Sequence, residues 1–279
     1  MAEGGDLRLD PLGNGQLSFH GDPMLPALYN AILITEESGD GDTPSGKVVY
    51  SGSVPGEVMS VALREIPIAS PDGIPGIASD IPFVDAAAGT EEPTENSSLL
   101  AGALAEAKIA AQHSGLAASS TSAGSMHTHA EHTINILQGT QVDYNGNGRG
   151  ENPGRGYGIP YFTDRIQARL DAIASAPTAD SAVQSQIELV RVCIVNVRNW
   201  MDQVVGLETQ FLQTDDLASV QTQLTESTRL ADAIINGVDL NGNGQVEPFE
   251  GECGLQQISN FGISLGNLNL FAGALPQGE

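Results

Sequence analysis

The sequence predicts an α+β protein, a small N-terminal β-sandwich-like sheet joined by a proline-rich linker to an antiparallel α-helical bundle. Three observations predict it. Apolar residues alternate with a period of two in residues 1–65, and they recur with helical spacing in residues 98–279. Between them, residues 66–97 carry Pro67, Pro71, Pro75, Pro82 and Pro93, spaced so that no helix runs through. With 279 residues, 40% of them hydrophobic, the chain is long enough to bury a substantial core.

In the first region Leu7 and Leu9 alternate before the turn Gly13-Asn14-Gly15, and Leu17 and Phe19 alternate after it, which reads as a hairpin. Tyr29 to Thr35 is nearly continuous in apolar and β-branched residues, and Lys47 to Ser53 carries Val48, Val49 and Tyr50 between turn-rich flanks. Four short strands make an incomplete sandwich, whose open edge calls for cover from the second domain or from another protein chain. His20 lies in this region and reads as a surface residue.

Beyond the linker, Leu100, Leu104, Ala107 and Ala111 share one face of a helix ending near Ala117. A second helix spans about Ser122 to Leu137 and stops at Gly139, and a third carries Ile166, Leu170 and Ile173 between Phe162 and Ala174. The longest, Ser181 to Gln213, is the expected centre of the bundle, with Trp200 and Met201 as packing residues. Thr214-Asp215-Asp216 caps a fifth helix from about Leu217 to Ile235.

The 35 acidic residues against 11 basic ones give a formal charge of -24, which excludes an electrostatic footprint for nucleic acid or an anionic membrane face. No run of eighteen apolar residues marks a membrane span. The chain opens Met1-Ala2-Glu3-Gly4-Gly5, without the regions of a signal peptide, so it reads as cytosolic or as cut from a leader. Cys193 and Cys253 are either two core thiols or one disulfide; the pair is expected to be bridged, since Cys253 follows an acidic loop and Cys193 lies on a strongly apolar helix.

The segment Asp239-Leu240-Asn241-Gly242-Asn243-Gly244-Gln245-Val246-Glu247-Pro248-Phe249-Glu250 carries the chemistry. It resembles the twelve-residue EF-hand calcium loop. The resemblance implies side-chain ligands from Asp239, Asn241 and Asn243, the backbone carbonyl of Gln245, Glu247 directly or through water, and a bidentate Glu250. Gly244 allows the bend, and Val246 fills the apolar anchoring place. The competing reading is an Asn-Gly turn that ends in acids. Pro248 and Gly251 depart from the usual exiting helix, so the unit reads as helix, loop and short turn.

A partly degraded copy runs from Asp143 through Asn145, Asn147 and Arg149, the last by its carbonyl, to Glu151, with Gly154 at the twelfth place. Both copies have Val-Asp at the start and a helix ending in Gly upstream, as in an internal repeat. Calcium in the first copy needs Glu151, a carbonyl or an acid from elsewhere; the alternative is a structural glycine-rich loop. Asn in place of Asp lowers the charge, which suits extracellular calcium levels.

His113, His127, His129 and His132 lie within twenty positions on two adjacent helices. Facing helices can bring Glu106, His113, His129 and His132 together around a transition metal or haem, with Met126 and His127 as further ligands for copper. Otherwise these are polar helix residues bonded to Asn135, Glu131 or the loops. Phosphate-loop, nucleophile-elbow and reactive-cysteine signatures are absent, so no enzyme is expected.

Ile34-Thr35-Glu36-Glu37, then 39–46 and Val48-Val49-Tyr50-Ser51-Gly52, resemble the closing strands of the extracytoplasmic β-sandwich domain of anti-sigma-K factors, over residues 6 to 55. That resemblance implies an extracytoplasmic setting of bacterial type. The sequence therefore points to an extracytoplasmic, calcium-binding, non-enzymatic binding or cell-surface scaffold protein, with a histidine-based redox or metal-transport protein as the alternative.

Overall fold

A computed structural model describes residues 31–37, 45–53, 99–176, 179, 181–258 and 271–273. The hairpin expected around residues 7 to 19, His20 and the linker lie outside them. Two strands, β1 (Ala31–Glu36) and β2 (Lys47–Ser53), pair antiparallel with Ala31 opposite Ser53 and Glu36 opposite Lys47, and the register shifts between Ile34 and Thr35. The facing strand ends are tied by Glu37, whose carboxylate accepts the amides of Ser45 and Gly46 at 3.1 and 2.9 Å. On the other edge of β2 lies a two-residue strand β3 (Phe271–Ala272) from the far end of the chain. Ser51 Oγ donates to the Gly273 carbonyl, and Gly273 N to that of Val49. Part of the strand edge is thus covered by the chain itself, and no second sheet faces it among the described residues.

The helices are α1 (Leu99–Ala118), α2 (Ala123–Gln138), α3 (Gly158–Ala174), α4 (Ser181–Phe211) and α5 (Gln221–Asn236). Their bounds lie close to the periodicity, with two differences. Helix α3 starts at Gly158, because Pro160 sits in the first turn, where its missing N–H has no intrahelical partner to lose. Asp216 does cap a helical turn, accepting from Ala218 N and Ser219 N, but that turn is a short 3-10 segment, Leu217–Val220, and α5 begins after it.

Helix α1 packs on α2, α2 on α4, α4 on α5, and α5 back on α1, a closed ring of four; α3 lies against α1, α4 and α2. The ring is made of two helical pairs, α1–α2 and α4–α5, each followed by one of the glycine-rich loops. The main core gathers Leu100, Ile136, Phe162, Ile166, Leu170, Ile187, Val190, Val197 and Ile234, with Trp200 and Met201 packed as expected. A second cluster holds Ala117, Met126, Ala130, Phe211, Val220 and Leu224. Among the described residues no helix is long and apolar enough to cross a membrane.

Cys193 on α4 and Cys253 form a disulfide with Cα atoms 5.0 Å apart, closing 60 residues of chain. Closing a loop of that length removes denatured-state freedom equivalent to about 4 kcal/mol. The bridge fastens the segment after the second loop to the longest helix, and Asn196 works beside it: its Nδ2 donates to the carbonyls of Phe249 and Cys253, and its Oδ1 accepts Gly251 N.

Inside the ring Ser227 Oγ donates to Glu208 Oε1 at 2.6 Å and lies 3.2 Å from Ser114 Oγ, joining α1, α4 and α5. Glu208 Oε2 is buried without a partner. Burial pushes the Glu208 carboxyl up to about 8 against the opposing serine hydrogen bonds, so at neutral pH it is held protonated.

Two outcomes follow from this packing. Cys193→Ala combined with Cys253→Ala is expected to lower unfolding stability by up to about 4 kcal/mol, read from urea denaturation. For Glu208 the folded group binds its proton more tightly than the unfolded one, so its contribution is full at acid pH and is lost as pH rises from the unfolded carboxyl range through about 8. Glu208→Gln should therefore raise the melting temperature more at pH 8 than at pH 5, and equal shifts at the two values would contradict it.

Candidate functional site

The two glycine-rich loops share the hydrogen bonds of their first halves. Asp239 Oδ1 accepts the amides of Gly242 and Asn243 at 2.8 and 3.1 Å, and its Oδ2 accepts Gly244 N at 2.8 Å. Asp143 takes Gly146, Asn147 and Gly148 at the same three distances. Asn241 Oδ1 accepts Asn243 N, and Asn243 Oδ1 accepts Gln245 N; Asn145 and Asn147 repeat this with Asn147 N and Arg149 N. Short polar side chains that grip the backbone two residues on fix tight turns. Gly148 and Gly244 sit at φ of 88° and 84°, where a side chain would be strained.

Each loop is closed by a buried carboxylate that the EF-hand pattern does not specify. Glu252 Oε1 accepts Leu240 N at 2.9 Å and Asn241 N at 3.4 Å, and its Oε2 accepts Glu247 N at 3.1 Å. In the first loop Glu131 does the same for Tyr144, Asn145 and Glu151, at 2.8, 2.9 and 3.2 Å. One clasp comes from the helix before its loop and the other from the turn after, yet they hold equivalent amides. Both are fully buried. An acid on the apolar face of α2, beside Ala130 and Ile134, is the signal by which Glu131 could have been found.

In the second loop the side chains at alternate places meet. Asn241 Nδ2 and Asn243 Nδ2 both donate to Glu247 Oε2, at 3.1 and 2.6 Å. Val246 packs against the main core, in its anchoring place. Glu250 stands exposed, outside this hydrogen-bonded set.

In the first loop the twelfth place is Gly154, and a Cβ there would lie 2.4 Å from Glu106 Oε2. An acid from elsewhere does therefore reach this loop, but Glu106 spends itself on backbone, accepting Arg155 N at 3.1 Å and Tyr157 N at 3.2 Å. Burial raises its carboxyl, and these amides pull it back. Asn135, also buried, accepts Thr140 Oγ1 and Val142 N and donates to the carbonyls of Val142 and Glu151.

Three of the histidines come together. His113 Nδ1 lies 3.2 Å from His129 Nδ1 and 3.3 Å from His132 Nδ1, with one ring nitrogen of each residue within 4.8 Å of the others. This group can hold a metal ion. Burial first, then the neighbouring imidazoles, push His113 down to about 4 and lower His129 as well, so these two rings favour the neutral, ligating form. His132 Nε2 faces Glu151 Oε2 at 3.4 Å.

The wider expected set is not assembled. Glu106 is engaged with the backbone after the first loop. Met126 is fully buried among Phe211, Leu224 and Ala117, so its sulfur serves packing and is not the exposed ligand expected for it. His127 Nε2 meets the Thr214 carbonyl at 2.9 Å, apart from the other three. No protein-family model matches this sequence, and neither a curated protein nor a solved structure does.

The clasps are open to direct measurement. Glu131→Gln and Glu252→Gln should each lower stability by roughly 2–3 kcal/mol, the worth of hydrogen bonds to a charged group. The urea midpoint should fall while its slope stays constant.

Proposed function

We propose that this chain is an extracytoplasmic calcium-binding protein without enzymatic activity, a binding or cell-surface scaffold module whose helical ring is braced by calcium. The observation that carries this reading is the common architecture of the two loops, in which oxygen-bearing side chains at the first, third and fifth places of an EF-hand-like pattern are pre-set by backbone hydrogen bonds. Calcium takes roughly six to eight oxygens. Asp239 receives three amide donors and keeps one acceptor site, Asn241 and Asn243 Oδ1 keep one each, and Glu247 meets both Asn side chains. Glu250, which stands exposed, would turn in on binding and complete the set with the Gln245 carbonyl.

Loop 239–250 is the principal site. In loop 143–154 the twelfth place carries no oxygen side chain and Glu151 faces a histidine, so Asp143, Asn145, Asn147 and the Arg149 carbonyl offer a weaker one. An ion that binds only the folded loops adds its binding free energy to folding. The extracytoplasmic setting is supported by the disulfide, which fits an oxidising compartment, and by the likeness of residues 34–52 to an extracytoplasmic domain. Ile32 and Leu33, 48% and 44% exposed on β1, are where a partner chain would meet the sheet.

A second reading, a redox or metal-transport protein, is favoured by the close approach of His129 Nδ1 and His132 Nδ1 to His113 Nδ1. Haem is disfavoured within it, since imidazole centroids 4.8 to 5.9 Å apart leave no slot for a macrocycle. Thermal melting with calcium and after chelation tests the first reading: calcium should raise the melting temperature, and Glu250→Gln should lower both the calcium affinity and that gain. A variant that melts like its parent under both conditions removes calcium from the function. Elemental analysis and an absorption spectrum of the purified protein test the second.

A further inference from the structure

We propose that His113, His129 and His132 bind one tetrahedral divalent ion of the zinc class through their Nδ1 atoms, with Glu151 as the carboxylate that orients His132. The proposal deepens the second reading and rests on it, and it is independent of calcium in loop 239–250.

Spacing comes first. Two nitrogens each about 2.0–2.1 Å from a tetrahedral zinc ion lie about 3.3 Å apart. Two of the three pairs match: His113 Nδ1 stands 3.2 Å from His129 Nδ1 and 3.3 Å from His132 Nδ1, and with the three ligand atoms within 4.8 Å of one another, a small side-chain shift of His129 or His132 closes the third side around the ion. Hydrogen bonding alone accounts poorly for such a cluster. A neutral imidazole Nδ1 carries either one lone pair or one hydrogen, so His113 Nδ1 satisfies one neighbouring nitrogen well and not two. A cation at the common focus takes a lone pair from all three.

The tautomer then follows. With Nδ1 on the ion, His132 keeps its hydrogen on Nε2, and that atom faces Glu151 Oε2. A metal-bound histidine that donates its other N–H to a carboxylate is held in orientation and made a better ligand.

The repeat supplies an independent mark. At the equivalent place of the second loop, Glu247 turns inward and accepts from Asn241 Nδ2 and Asn243 Nδ2. Glu151 turns outward to His132, and Asn145 Nδ2, the counterpart of Asn241 Nδ2, is left buried with no partner. A buried donor without a partner loses the hydrogen bonds it made to water. The outward turn is maintained against that cost, and a metal on His132 provides the compensation. Three neutral nitrogens without thiolate or thioether suit zinc, with the fourth position falling to water or an exchangeable ligand.

The test uses the full chain, stripped with chelator, saturated with calcium and titrated with zinc and with cobalt(II). One ion per chain is expected, with the visible bands of tetrahedral cobalt, bleached by zinc. His132→Ala and, as a milder variant, His129→Gln should lose those bands while circular dichroism stays native. Glu151→Gln should keep the bands but weaken zinc binding about 10–100-fold, the usual cost of losing such a carboxylate partner, and Glu151→Asp should recover part of it. Glu250→Gln should leave zinc binding unchanged.

Unchanged zinc affinity in Glu151→Gln overturns the role of Glu151. Octahedral cobalt, binding of copper or iron alone, or loss of zinc binding in Glu250→Gln overturns the zinc-class centre. Of these, copper or iron binding that depends on His132 leaves the second reading standing, whereas no transition metal bound at all removes both.

Discussion

Buried carboxylates that accept backbone amides hold the two glycine-rich loops of this molecule in place. A glycine-rich loop has few side chains with which to bury surface, and each of its amides needs an acceptor. Glu131, Glu252 and Glu106 supply acceptors from within the protein, and the first two hold equivalent amides in the two loops. Three N–H groups converging on one carboxylate replace much of the hydration that burial removes. The loops are thereby tied to the helical ring at their first and last turns, and the disulfide with Asn196 ties the second again through Cys253.

The two helical pairs share a plan and have diverged in detail. Both loops keep the same set of Asp and Asn turns, which depend only on residues inside the loop. The clasp, which depends on the surroundings, comes from opposite directions in sequence. The ninth-place glutamate also differs, inward as Glu247 and toward a histidine as Glu151. Local chemistry is copied in the repeat, whereas tertiary partners are chosen separately in each half.

The same distinction decides how much could be read from residues alone. The helices were legible because each buries a stripe of apolar side chains, and periodicity records that stripe; β2 matched its turn-bounded apolar run. Helix α3 extends further back than its stripe because a proline in the first turn is harmless. The grouping of His113, His129 and His132 was legible from their proximity on adjacent helices. Their companion was not. Glu106, chosen for its place on α1, is taken by amides after the first loop, while Glu151 arrives from a loop whose path no periodicity records. Met126 was misplaced for a related reason: its helical face turns toward Phe211 and Leu224, on elements far away in the chain. The final strand, which brings Phe271–Ala272 back to β2, had no signal beyond a short apolar run.

Glu151 stands between the first loop and the histidine group. Its backbone is fixed from both directions, since its N–H is held by Glu131 and its carbonyl by Asn135, so only the carboxylate is free to choose a partner. Facing the loop it would satisfy Asn145 Nδ2 and add an oxygen ligand for calcium; facing His132 it leaves that amide unpaired and the loop with one carboxylate fewer. A ligand shifts such a choice only by its differential affinity for the two arrangements. On the proposed readings, an ion on the three histidines and a calcium ion in loop 143–154 would compete for the same carboxylate, and the coupling would be reciprocal, each weakening the other by the same factor. The second loop contains no such choice, because its ninth-place glutamate already points inward. On the proposed reading its calcium affinity would be set by its own residues and would not report what the histidines hold.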